Sequence, residues 1–283
     1  MNTLPPHQPI RHYENFPVAS ILCPPRLRAP IAAIYHFART ADDIADEGDA
    51  TAQQRIDDLA TMHADLLAAA ADQPGSGRWP QVLGPLRLAI REFNLPVSLL
   101  ADLLDAFSQD VRKTHDQAAY ADQAELLDYC RRSANPVGRL LLHLHGVHDE
   151  AALRMSDDIC TALQLINFWQ DLSRDIPRGR HYLPDTECAS LDVSRAELNA
   201  LRQTSQTTKL IATQVEHARA MMLQGAGLVH RIPGRAGWEL RLVVQGGLRI
   251  LEKIEALGFA TLQTRPKLSP WDVVLMSWRA LGM

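Results

Sequence analysis

Two acidic runs, Asp42-Asp43-Ile44-Ala45-Asp46 and Asp171-Leu172-Ser173-Arg174-Asp175, hold the residues best suited to chemistry in this chain. Each places carboxylates four residues apart, so on a helix both point the same way, about 6 Å apart along the axis. Like charges this close need a countercharge, and a hard divalent cation such as magnesium suits oxygen donors. Facing each other across a helical bundle, the two runs would hold magnesium against a diphosphate. The chemistry implied is metal-assisted ionisation of a diphosphate ester.

The residues around each run extend that reading. Arg39 lies one and two turns before Asp42 and Asp46, which puts a guanidinium and two carboxylates on one face. Carboxylates would hold magnesium while the guanidinium takes a phosphate oxygen. A solvated helix end with an internal salt bridge is the plain alternative. Around the second run, Gln164, Asn167, Asp171 and Asp175 draw a polar line, while Leu165, Ile166, Phe168 and Trp169 fill other faces. A polar line among apolar neighbours fits an inward-facing cation site better than an open surface, because buried polar groups need partners.

Arg174, Arg178 and Arg180 then put positive charge beside that run, with Gly179 allowing close backbone approach. They read as a counterion for a leaving diphosphate or as a charge-balanced loop. Between Tyr129 and Gly138, small residues and Pro136 leave room for a bulky substrate or mark a packing kink. His143, His145 and His148 do not share a helical face and read as ordinary histidines rather than metal ligands.

The elements that must position these residues are helices. The pattern predicts helices near Leu27–Asp46, Thr51–Ala71, Trp79–Phe93, Val97–Lys113 and Gln123–Val147, the last interrupted at Asn135-Pro136. One long helix over Asp149–Arg174 carries the second run. Pro177–Ser190 reads as a loop, Ser194 with Glu197 as a capping box, and further helices fall near Thr208–His230, Ala236–Leu257 and after Pro270. The expectation is a single all-α domain over 1–283, irregular over 1–11. Trp271, Val274, Leu275, Trp278 and Leu281 form a stripe on the final helix, read first as core packing and alternatively as a dock on a bilayer surface.

Composition narrows the classes. A net charge of −4 and a pI near 6.2 argue against a nucleic-acid partner held by bulk electrostatics. The four cysteines have neither CxxC nor metal-ligand spacing, which points to a reducing compartment and a cytoplasmic protein. No apolar run is long enough to span a bilayer, the start lacks signal-peptide order, and no GxGxxG nicotinamide motif is present.

Together, Tyr35…Arg39…Asp42-Asp43-x-x-Asp46, Tyr129…Gly138, Gln164-x-x-Asn167-x-x-x-Asp171-x-x-x-Asp175 and Arg180-x-Tyr182-Leu183-Pro184 resemble the squalene/phytoene synthase family. The resemblance runs from about His12 to Arg265 and implies a class I isoprenoid synthase helical bundle around a central cavity. By the same resemblance, Asp42 and Asp46, flanked by Asp43, are magnesium ligands, as are Asn167, Asp171 and Asp175. Arg39, Arg180 and Tyr182 are implied diphosphate contacts, and Tyr35, Tyr129 and Gln164 line the reacting end of the pocket.

Near the start the sequence departs from the family. A Ser-rich phosphate-binding stretch is replaced by His12-Tyr13-Glu14-Asn15-Phe16-Pro17, and Leu248 stands at the position of a late Tyr common in the family. Glu14 would repel a second diphosphate. This opening is similar to that of a bacterial hopanoid-route subgroup whose substrate is presqualene diphosphate. There, diphosphate leaves and water captures the rearranged cation to give hydroxysqualene, so Mg2+ is the expected cofactor and no NADPH is expected. Groups such as Tyr129, Gln164 or His12 would position the water, with His12 and Asn15 counted among the substrate contacts. Synthesis of presqualene diphosphate from farnesyl diphosphate, phytoene synthesis, and a non-catalytic family member remain as alternatives. Peripheral membrane contact and handover with other enzymes of the hopanoid route stay open.

Overall fold

The computed structural model describes residues 23–232 and 234–283 of the chain. Among the described residues twelve α-helices follow one another: α1 (Pro25–Asp46), α2 (Ala52–Ala70), α3 (Pro80–Phe93), α4 (Val97–His115), α5 (Gln123–Ser133), α6 (Asn135–Leu144), α7 (Glu150–Asp175), α8 (Asp185–Ser190), α9 (Arg195–Asn199), α10 (Ser205–Gly225), α11 (Arg235–Ala256) and α12 (Pro270–Leu281). Among the described residues there is no strand, only an isolated parallel bridge between Ala119 and His181.

Local chemistry sets the helix ends. Pro25 opens α1 at a position where its missing N–H is no loss. Thr51 with Gln54, Ser194 with Glu197 and Ser269 with Asp272 close capping boxes on α2, α9 and α12. The helix expected over 123–147 divides after Ser133, because Pro136 is better placed in the first turn of α6 than inside a longer helix. The expected loop over 177–190 contains α8. Its first-turn Asp185 and Glu187 suit a helix N-terminus, but six residues are too few for periodicity to announce.

The chain divides into two compact units. The first takes the described residues up to Arg112 together with Pro136–His148, and its core gathers Leu27, Ile34, Phe37, Met62, Leu66, Leu86, Leu100 and Leu140. The second takes Lys113–Asn135 and Asp149–Met283. There α7 packs along α10, with Leu165, Trp169, Ile211, Val215 and Met222 buried. That approach depends on Gly225: a Cβ there would stand 2.5 Å from the Met155 carbonyl oxygen and 2.8 Å from Ile159 Cγ1.

The final helix corrects the core reading of its stripe. Trp271 is 82% exposed and Trp278 74%, with Val274 and Leu281 also exposed; Asp272, Met276 and Ala280 are buried instead. Asp272 holds the helix against α11. Its carboxylate meets Arg249 at 2.6 Å and Lys253 at 2.9 Å, and accepts from the Ser269 hydroxyl at 2.7 Å and backbone N–H at 2.6 Å. These contacts, the Ser269 hydroxyl foremost, hold its pKa well below the usual carboxylate range.

Two outcomes follow from this packing. Gly225→Ala should cost about 1–3 kcal/mol of stability in urea unfolding, because the obstructing atom is backbone and cannot rotate away. A depressed carboxylate pKa contributes stability above the unfolded value of about 3.9 and loses it as pH falls. Amide protection of α12 in hydrogen exchange should therefore fall below about pH 4 in the native chain, and should already be low at neutral pH in Asp272→Asn.

Candidate active site

Both acidic runs close a helix. Asp46 is the last residue of α1 and Asp175 the last of α7, with Asp42 and Asp171 one turn earlier. Unsatisfied carbonyls give a helix C-terminus partial negative charge, so acids there are unfavourable unless cations are at hand. Each run has recruited an arginine.

On α1, Arg39 reaches Asp42 at 3.2 Å, Asp43 at 2.7 Å and Glu47 at 3.0 Å. Partial burial works against the guanidinium charge, yet the carboxylates of Asp42, Asp43 and Glu47 outweigh it and raise the Arg39 pKa. Burial also raises the Asp43 pKa in spite of Arg39. The Asp43 Oδ1 atom is sealed from solvent and faces the Arg39 guanidinium. Arg55 of α2 holds the helix end itself, donating to the carbonyls of Ile44 (2.8 Å), Gly48 (2.7 Å) and Ala50 (3.1 Å). Tyr35, one turn before Arg39, is half-buried with its ring edge-on to His36.

On α7, the polar line has the character its neighbours implied. Gln164, Asn167, Asp171 and Asp175 are all half-buried, while Leu165, Ile166, Phe168, Trp169 and Leu172 are buried. Asp171 is gripped from two sides of one guanidinium, Arg265 Nε on Oδ1 and Nη2 on Oδ2 at 3.2 Å. Gln170 fixes the approach of that arginine by donating to the Pro266 carbonyl at 2.7 Å. Sequence reasoning gave Arg265 no role, since it lies in an irregular segment 94 residues from its partner and outside every helical pattern.

Beyond α7 the chain turns back on the helix end. Gly179 adopts φ +79°, and the Arg180 N–H donates to the Asp175 carbonyl at 3.0 Å. This places Arg180 beside the second acidic run. Tyr182 is buried and stacks on Phe168 with ring centroids 3.7 Å apart, and Tyr129 of α5 lies 6.2 Å from Phe168 and 6.4 Å from Tyr182. Tyr129, Phe168 and Tyr182 thus form one aromatic cluster against the buried side of the polar line. His143 is satisfied by the Phe93 carbonyl at 2.8 Å, as an ordinary histidine would be. His12 and Asn15 lie outside the described residues.

The donors at both helix ends are carboxylates and an amide, hard ligands that fit magnesium; the four cysteines are buried thiols. Among the described residues, no three His, Cys, Asp or Glu side chains gather into a ready metal cluster.

The squalene/phytoene synthase family model matches residues 10–272. The hydroxysqualene synthase of Sinorhizobium fredii is 32% identical over 273 residues, covering 95% of this chain and 89% of its own. The presqualene diphosphate synthase of Rhodopseudomonas palustris is 28% identical, covering 93% of this chain and 91% of its own. In structure, the squalene synthase HpnC from Alicyclobacillus acidocaldarius superposes with a TM-score of 0.79 at 34% identity, covering 88% of this chain and 90% of its own. The all-helical fold, the acidic helix ends and these matches lead to one conclusion: this chain belongs to the squalene/phytoene synthase family.

Proposed function

We propose that this protein is a hydroxysqualene synthase, converting presqualene diphosphate and water to hydroxysqualene and diphosphate. The observation that carries the reading is the pair of carboxylate-bearing helix C-termini, each only partly offset by an arginine. Such ends want cations, and a magnesium–diphosphate substrate brings them. The 32% identity to a hydroxysqualene synthase over nearly the whole chain supports the same choice among prenyl diphosphate reactions.

Asp42 and Asp46, with Asp43 beside them, and Asn167, Asp171 and Asp175 would hold magnesium. When bound, the metal neutralises the departing diphosphate and so favours cleavage of its carbon–oxygen bond. The bonding electrons leave with the diphosphate, and the carbon framework becomes a cyclopropylcarbinyl cation. Arg39 and Arg180 take phosphate oxygens, and Arg265 orients Asp171. Apolar walls leave the cation unquenched while it rearranges. Tyr129 and Gln164 line the reacting end and position the water, whose oxygen forms the new bond and whose proton passes to diphosphate or solvent. Water ends the reaction, so no NADPH is consumed. We infer a cytoplasmic protein in peripheral contact with membrane, consistent with buried free thiols and a lipid substrate.

The deciding experiment supplies presqualene diphosphate and magnesium without NADPH and identifies the product. Hydroxysqualene is expected. Squalene, or turnover of farnesyl diphosphate to presqualene diphosphate instead, overturns the assignment. Tyr129→Phe together with Gln164→Leu should reduce the alcohol yield, and an unchanged yield removes both residues from the water-positioning role. Arg265→Met should lower kcat/KM about 10- to 100-fold, the worth of a charge-assisted bidentate contact, with Arg265→Lys only partly restoring it.

A further inference from the structure

The outer face of α12 is built the wrong way round for a protein surface in water. Taking about 100° per residue, Trp271, Val273, Val274, Ser277, Trp278 and Leu281 occupy an arc of roughly 160°, and all six are exposed. The opposite arc is turned inward and carries the charged Asp272 in its ion pairs with Arg249 and Lys253. An ordinary surface helix does the reverse, burying its apolar arc. Ser277 is the single polar residue on the outer arc, and its hydroxyl donates to the Val273 carbonyl at 2.8 Å, so it needs no water. Trp238 is also exposed. It belongs to the same neighbourhood, because Arg241 lies over its ring and donates to the Ala280 carbonyl of α12.

We propose that α12 docks flat on a lipid bilayer carrying anionic headgroups, its apolar arc sunk to the headgroup–acyl boundary. Three observations choose this occupant. Trp271 and Trp278 stand two turns apart with aliphatic side chains between them, and indoles favour that boundary. The patch is a ridge one helix wide and about 18 Å long. A second copy laid against such a ridge would cover far less than the roughly 800 Å² per partner of a stable interface, whereas a bilayer encloses it from three sides. Charge also matches: with Arg265 held by Asp171 and Arg279 by Glu252, the exposed Lys267 and the Arg241 that lies over Trp238 are cations with no ion pair among the described residues, while the one acid of α12, Asp272, is turned inward. No described helix is long and apolar enough to cross a membrane, so contact at this face is interfacial.

This inference rests on the reading that the chain works on a lipid substrate, and it adds the surface by which the chain meets the lipid phase. The test is flotation of the full-length protein with vesicles of phosphatidylcholine containing phosphatidylglycerol, alongside Trp271→Ser/Trp278→Ser. Both tryptophans are exposed, so the variant should fold as the native chain does, checked by its circular dichroism. Native protein should float with a blue-shifted tryptophan emission, and partitioning should drop at least about tenfold in the variant. Binding should weaken when phosphatidylglycerol is omitted or salt is raised. Turnover of detergent-dispersed presqualene diphosphate should be equal in both proteins, so a failure of docking is distinguishable from a failure of the assigned reaction. The proposal is overturned if native protein stays in solution, if the variant floats equally well, or if the tryptophans instead govern a dimer in sedimentation velocity.

Discussion

The arrangement that governs this molecule is negative charge at the negative end of a helix. Both α1 and α7 finish on an aspartate with a second one turn back, where exposed carbonyls already disfavour anions. Arg39 answers the first set and Arg265 the second, one from the same helix and one from a distant segment held by Gln170. Carboxylates gathered against their own repulsion remain receptive to further cations. Under the proposed function the diphosphate would meet these C-termini through metal, where a helix N-terminus would have met it directly.

Much of this was legible in the residues. The four-residue spacing of the aspartates and the polar line through Gln164 and Asn167 are helical signals, and both lie on the helices they implied. The capping box at Ser194 likewise follows from adjacent residues. What stayed hidden depends on distance along the chain. Arg265 approaches Asp171 only because Pro266 accepts from Gln170. The stripe on α12 was ambiguous for another reason: periodicity identifies an apolar face without saying which way it turns. That choice was made by Asp272, whose ion pairs with Arg249 and Lys253 turn the charged side inward.

The second unit shows how packing serves the site. Gly225 brings α10 onto the backbone of α7, and Gly247 lies against Ile166 and Leu163 where a Cβ would come within 3.4 Å of both. These close approaches fix the buried side of the helix whose other side carries Asn167 and Asp171. The stacked rings of Phe168 and Tyr182 then tie the returning loop to the same helix, so Arg180 follows from packing as much as from sequence position.

Arg55 gives the first acidic run a property that charge alone does not describe. Its three donors spread over carbonyls of Ile44, Gly48 and Ala50, bolting the first turn of one helix to the last turn of another. A lysine would keep the charge but gather its donors on a single nitrogen, too compact to span that fan of acceptors. The aim of Asp42 and Asp46 is therefore set by a planar fork, and the orientation of both carboxylates is inherited from the shape of a residue on the following helix.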